Sequence, residues 1–358
     1  MSGWIEFNIH NRVTMRVAED APTLSLLMDM FECFLTKEKL DHHDLTITGE
    51  VVPMPGAAYG GTDYRYTPTS LYLTAMNVQI VRTEDGFVLN GTRELLVAAL
   101  PLIDRLMVER SAAMIHAATV EYRGHGICLP AWGGVGKTST MAKLLKRDGV
   151  AFMGDDWAFL SDQAQLLGFA KPLFIKPYHG PIYPHLFGAR RKPLVPYRLA
   201  EPLARFSTLV HPLVTQYPRL ARVSRRWSPE HMMVQPRTAF PQAQFSTRAP
   251  LAMAIFVERY DGTSAVLEEK DTPWMVARLV GNFHAEIAHH SQEVITALGA
   301  IGLVPIERTF GDKAALIARA LEGKPLFLLQ IPKAWSADQA SDAITAQLQD
   351  ICVATGMR

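Results

Sequence analysis

Cysteine is scarce and scattered: the 358-residue chain has three, Cys33, Cys128 and Cys352. Far apart, odd in number and set among apolar neighbours, they exclude a disulfide framework and a zinc cluster. They fit reduced core thiols of a cytosolic protein. Long hydrophobic runs are lacking too. The longest, Leu95 to Ile103, is cut by Pro101 and too short to span a bilayer. The opening MSGWIEFNIHNRV has no basic segment followed by an apolar one, so no signal peptide is expected. Neither sign of charge is in excess. Thirty-six Lys and Arg against 35 Asp and Glu leave a net +1, which removes any global pull towards nucleic acid or membrane. Neither N-K-x-D nor L-S-G-G-Q occurs, which argues against GTPase and ABC-transporter chemistry. His284, Glu286, His289 and His290 do not have H-E-x-x-H spacing, and three histidines so placed cannot share one helix face. They are read as exposed or capped, not as a metal site. His42-His43 carries no motif.

What is present supports a large core. With 48% hydrophobic and 20% charged residues, the chain has the composition of a folded protein of two or three domains, or of one with an insertion. Ile5, Phe7 and Ile9 alternate with polar residues, as do Val13, Met15 and Val17, which predicts two short antiparallel strands. Pro22 opens a helical run through Phe34, and Leu45 to Thr48 reads as a strand. Val52 to Thr69 is rich in Pro, Gly and Tyr and reads as a loop. Strands are expected at Leu71–Leu73, Val78–Val81 and Phe87–Leu89. Thr92 to Ser111 reads as a helix kinked or broken at Pro101. Residues 1–110 are expected to form an α+β amino-terminal domain and residues 111–358 a second domain.

That second domain is organised around Cys128 to Trp157. A strand at Ile127–Leu129 leads into Trp132-Gly133-Gly134-Val135-Gly136, then Lys137-Thr138-Ser139 and a helix carrying Met141, Leu144 and Leu145 on one face. Gly149 stands where that helix needs a left-handed residue. A second strand, Val150 to Met153, ends in Gly154-Asp155-Asp156. Successive N–H groups of such a loop converge on a polyphosphate, and glycine lets the backbone approach it closely. Lys137 suits the β and γ oxygens, and the Thr138 hydroxyl suits one Mg²⁺ position. Ala131 stands where G-x-x-x-x-G-K-[ST] begins with glycine, so the chain must reach this loop in a different conformation.

An acidic pair one helix after Lys-Thr resembles the HPr kinase/phosphorylase family, whose nucleotide site is similar to that of phosphoenolpyruvate carboxykinase. The upstream stretch Ile115-His116-Ala117-Ala118-Thr119-Val120 looks like the family's His-bearing strand. The resemblance covers Ala112 to Lys176 and, more faintly, Ile255 to Arg259. It implies an α/β (mixed α+β) fold with an HPr-kinase-like P-loop core. It also implies ATP and Mg²⁺ as cofactors, bound by Gly133, Gly134, Val135, Gly136, Lys137, Thr138 and Ser139. Thr138 with Asp156 would hold the metal beside Asp155. Asp155 would be the base for an acceptor hydroxyl, assisted by Lys137 and His116. The family's later glutamate signature has no counterpart here, so reverse phosphorolysis is not expected. Lys171 and Lys176 read as ordinary solvated lysines. Arg259 reads either as a residue near the transferred group or as a structural ion pair.

The stretch from Pro181 to Pro250 differs in composition. Between Arg190 and Arg248 eleven Lys and Arg face only Glu201 and Glu230, a net of +9. A lid over nucleotide, a groove for an acidic partner, or a solvated insertion are the readings this charge allows. Nucleic acid is not favoured, because no binding motif for it occurs. The expectation is a cytoplasmic, homo-oligomeric, ATP-dependent kinase acting on a Ser or Thr hydroxyl of a protein or peptide. A small-molecule kinase and a nucleotide-binding regulator without phosphotransfer are the alternatives.

Overall fold

The alternation at the start folds as its period requires. In a computed structural model that describes residues 3–50, 57–59, 64–92, 94–175, 180, 182–187 and 232–355, strand β1 (Trp4–Ile9) pairs antiparallel with β2 (Val13–Ala18). Phe7 lies opposite Met15 and Ile9 opposite Val13. All four are buried, so a period of two turns one face into the core.

Helix α1 (Leu24–Phe31) and strands β3 (Leu35–Thr36), β4 (Leu45–Thr48), β5 (Ala57–Tyr59), β6 (Tyr64–Thr67), β7 (Ser70–Leu73), β8 (Val78–Arg82) and β9 (Phe87–Gly91) extend this region. The sheet order is β3-β1-β2-β4-β9-β8-β7-β6-β5, with β2/β4 and β4/β9 parallel. The expected loop at Val52 to Thr69 is corrected, because its described residues form β5 and β6. Tyr59 lies opposite Tyr64 and Ala57 opposite Tyr66. Tyrosine is enriched in strands, so a tyrosine-rich composition fits a strand as well as a loop.

Helix α2 (Leu95–Glu109) runs through Pro101, where a kink or break is expected. Proline leaves the carbonyl four residues earlier without its amide. That carbonyl, of Val97, instead accepts from the buried hydroxyl of Ser291 at 2.7 Å. Beneath it, Asp104 and Lys313 form a buried ion pair, and Asp104 Oδ1 also accepts from Met114 N at 2.9 Å.

Strands β10 (Ala112–Tyr122), β11 (His125–Pro130), helix α3 (Lys137–Leu144), β12 (Val150–Gly154), β13 (Trp157–Ser161) and β14 (Gln165–Gly168) come next. The chain then passes into a separate compact unit, Pro172–Gln242. Its described elements are β15 (Leu173–Ile175), α4 (Pro184–Phe187), β16 (Met232–Val234) and α5 (Pro236–Ala239), with β15 and β16 antiparallel and Tyr183 packed on Phe240. Lys176 and both arginine clusters of the basic insertion, Arg190 to Lys192 and Arg222 to Arg226, lie outside the described residues.

The first unit resumes with β17 (Gln244–Phe245), β18 (Arg248–Tyr260) and β19 (Val266–Glu269). Helices α6 (Thr272–Glu286), α7 (His289–Ala300) and α8 (Ile306–Leu321), strand β20 (Leu326–Pro332) and helix α9 (Ala337–Ala354) complete it. Helices α6 and α7 are parted at Ile287 and Ala288. Strands β10, β13, β14, β18 and β11 are paired in a closed circuit, with β12 and β17 added on one side and β20 and β19 on the other. The architecture is mixed α/β with two large mixed sheets. No helix among the described residues is long and apolar enough to cross a membrane.

Strand β10 positions the acidic pair. Its eleven residues pair first with β13, through Ala112 to His116, and then with β12, through Thr119 to Tyr122. Asp155 and Asp156 are the corner where the chain leaves β12 and starts β13. Ala117 N donates to Asp156 O at 3.0 Å and pins that corner to β10.

Candidate functional site

The stretch from Trp132 to Gly136 joins β11 to α3, as the strand–loop–helix pattern requires. Gly134 and Gly136 adopt φ of +77° and +109°, a region side-chain-bearing residues rarely occupy. Ala131 does not share it. It is fully buried and extends β11 by one bridge to Val257, so the chain reaches the loop in a strand conformation that alanine tolerates.

Lys137 opens α3 and turns back over the loop, donating to Ala131 O at 2.8 Å and Trp132 O at 3.3 Å. Burial lowers its pKa against the pull of Asp156, Asp155 and Glu286. Thr138 Oγ1 donates to Asp155 Oδ2 at 2.9 Å. The other oxygen of that carboxylate, Oδ1, is buried with no hydrogen-bond partner among the described residues. Burial first, and the neighbouring Asp156 charge second, raise Asp155 to about 7.

Asp156 is held differently. Lys171, just after β14, donates to its Oδ2 at 2.7 Å, and His116 Nε2 lies 3.9 Å from its Oδ1. Burial pushes Asp156 up, but the Lys171 ammonium and its hydrogen bond outweigh that and leave its pKa below the usual range. The expectation of a solvated Lys171 is corrected. Its side chain is 2% exposed, and it also lies over the Trp157 ring. A lysine so buried needs a carboxylate partner, and the β12–β13 corner supplies it.

His116 projects from β10 towards the pair. Burial, then the Lys137 charge, lowers its pKa, so the neutral ring is favoured. Its Nδ1 is 2.9 Å from Asn282 Oδ1, and Asn282 Nδ2 donates to Ala131 O at 3.3 Å. That pairing makes Nδ1 the protonated nitrogen and turns the Nε2 lone pair towards Asp156. The structure therefore brings His116, Lys137, Thr138, Asp155 and Asp156 together around the glycine loop. Ser139 is buried on α3 behind it.

Three participants escape a reading of the sequence. Lys171 is one, and Asn282 and Glu286 on α6 are the others. Glu286 Oε1 accepts from Gly133 N at 2.7 Å. The one sequence signal near them is the histidine-rich stretch from His284 to His290, and its spacing reads as exposed or capped side chains instead. No group of three His, Cys, Asp or Glu among the described residues is placed to hold a metal. His289 and His290 pair with Glu293, and His284 packs on Phe310. Arg259 does not form the expected ion pair among the described residues; its guanidinium donates to the carbonyls of Pro332 and Trp335.

The donors fit a hard cation. A threonine hydroxyl and a carboxylate with one buried, unpartnered oxygen are the oxygen ligands Mg²⁺ takes, alongside water and substrate phosphate. No protein-family model and no curated protein matches this sequence.

Proposed function

We propose that the protein is an ATP-dependent kinase with an HPr-kinase-like P-loop core, transferring the γ-phosphoryl group to a hydroxyl of a protein or peptide. The observation that carries this reading is the hydrogen bond from Thr138 to Asp155, whose remaining oxygen is buried and unpartnered beside the glycine loop and Lys137. Such an arrangement costs stability unless a cation completes it. Lys137 and the amides of Gly133 to Gly136 supply positive potential for the β and γ phosphates. Mg²⁺ would neutralise the charge that builds on their oxygens.

The contacts divide the acidic pair in a way the resemblance does not. Thr138 touches Asp155, so these two belong on the cation's side. Asp156, fixed by Lys171 and facing the His116 Nε2 lone pair, is left to receive the proton. In the transfer the acceptor oxygen bonds to the γ phosphorus as the bond to the β–γ bridging oxygen breaks, and ADP leaves. The hydroxyl proton passes to Asp156. A weakly basic carboxylate suffices, because phosphoryl transfer depends mostly on positioning and charge neutralisation.

The test is thermal. Mg²⁺-ATP at a hundred times its Kd adds about 2.7 kcal/mol to a protein that binds it only when folded. Lys137→Ala should remove most of the resulting rise in Tm. No rise in the wild type at millimolar ATP overturns the kinase reading. A rise without transfer to any acceptor favours the nucleotide-binding regulator.

A further inference from the structure

The glycine loop, with its phosphate-binding geometry, already holds an anion, and that anion belongs to the protein. Glu286 is the last residue of α6, and its Oε1 sits 2.7 Å from Gly133 N. Its carboxylate comes so near the loop that a Cβ on Gly133 would lie 3.5 Å from both of its oxygens. Its charge is felt by the Lys137 ammonium and by His116.

This placement does not follow from the helix itself. A carboxylate at a helix C-terminus meets the negative end of the dipole, which disfavours it. What holds it is the loop amide and the lysine behind it. The backbone beneath is fixed: Phe283 and Ile287 on either side are buried, and Asn282, one turn earlier on the same face, is bonded to the loop at Ala131 O. The side chain of Glu286 is exposed, so rotation about its own bonds takes it off the loop without moving α6.

An amide has one proton to donate. A phosphate oxygen and Glu286 cannot both accept it, and two anions so close repel one another. We propose that Glu286 is a tethered competitor for the phosphate site, occupying the Gly133 amide until a polyphosphate displaces it. This rests on the phosphate reading of the loop and specifies its regulation. Ligands of low charge do not repay the lost contact, whereas a di- or triphosphate engages Lys137 and the remaining amides together. Glu286 therefore selects for polyanions and weakens all of them.

Isothermal titration of wild type, Glu286→Gln and Glu286→Ala with ATP and with pyrophosphate tests this. Both variants should bind more tightly than wild type, Glu286→Ala by about tenfold, the size of one charge-assisted hydrogen bond. Glu286→Gln should fall between, because its amide oxygen still accepts from Gly133 without the charge. The gain should shrink between about 20 mM and about 300 mM salt, as repulsion between partly exposed charges is screened. Unchanged or weaker binding in both variants, with wild type binding, overturns the competitor and leaves the kinase reading intact. Absence of binding of either ligand by all three proteins overturns both.

Discussion

Thr138 and Asp155, seventeen residues apart, are joined by a 2.9 Å hydrogen bond, whereas Asp156, one residue further on, bonds Lys171 instead. Two adjacent carboxylates thus have different partners, and different partners imply different work. Asp156→Asn should keep Mg²⁺-ATP binding and lose phosphoryl transfer. Asp155→Asn should lose the Mg²⁺-dependent part of the binding. Titration of ATP with and without Mg²⁺, and then a transfer or ATP-hydrolysis assay, separates them. The opposite result returns the base to Asp155.

The raised pKa of Asp155 has a sign that can be measured. The folded protein keeps its proton up to about 7, whereas an unfolded Asp loses it near the ordinary value of 3.8. Between these values the native state binds the extra proton, so this group's contribution to stability falls as pH rises and is flat above about 7. In metal-free buffer Asp155→Asn should therefore be more stable than wild type at pH 8, by on the order of a few kcal/mol. The difference should vanish towards pH 4. Urea midpoints across that range check it, and parallel curves would show that Asp155 ionises normally.

Lys171 gives the reverse dependence. Its ammonium holds Asp156 below the usual carboxylate range, so the pair contributes stability above the unfolded pKa that is lost as pH falls through the folded one. Lys171→Met leaves Asp156 without that partner and should cost about 3 kcal/mol near neutrality, the low end for a broken buried pair because Asp156 is partly open to water. The penalty should shrink as pH falls from the unfolded pKa through the lower folded pKa of Asp156, below which the carboxylate is protonated in both proteins. A cost independent of pH would mean that Lys171 acts by packing alone.

A second buried pair lies under the site. Lys313 Nζ contacts both oxygens of Asp104 at 3.0 and 2.9 Å and sits 3.4 Å from the centre of the Phe283 ring. Lys313→Met strands the carboxylate and should cost about 3–5 kcal/mol. Adding Asp104→Asn removes the stranded charge but keeps an acceptor for Met114 N, so the double variant should recover most of that loss. Chemical denaturation of the four proteins of this cycle decides it.

These sites were legible in the sequence to the extent that they are local. Strand, glycine loop, helix and Asp pair fall within Cys128 to Trp157, where spacing alone puts Lys137 and Thr138 at the helix start. Lys171 was not legible, because its burial depends on β13 and β14 folding back to set it beside Asp156. Asn282 and Glu286 meet the loop from 151 and 153 residues away. That the helix continues through Pro101 was not legible for the same reason: the group that satisfies Val97 O is 194 residues distant. The tyrosine-rich stretch after Val52 misled differently, since its composition describes a loop and its pairing partner decides that it is a sheet edge.

Helix α3 leans on α9. Lys143 donates to Asp338 O at 3.0 Å and to Asp342 Oδ1 at 2.6 Å, and Arg147 to Gln349 Oε1 at 3.0 Å, across separations of 195 to 202 residues. At a synthesis rate of about 5–20 residues per second, the glycine loop leaves the ribosome on the order of 10–40 s before the helix that braces it. During that interval the nascent chain has Lys137 and Thr138 but not their support. The nucleotide proposed for this loop would therefore meet a braced α3 only after translation has passed α9.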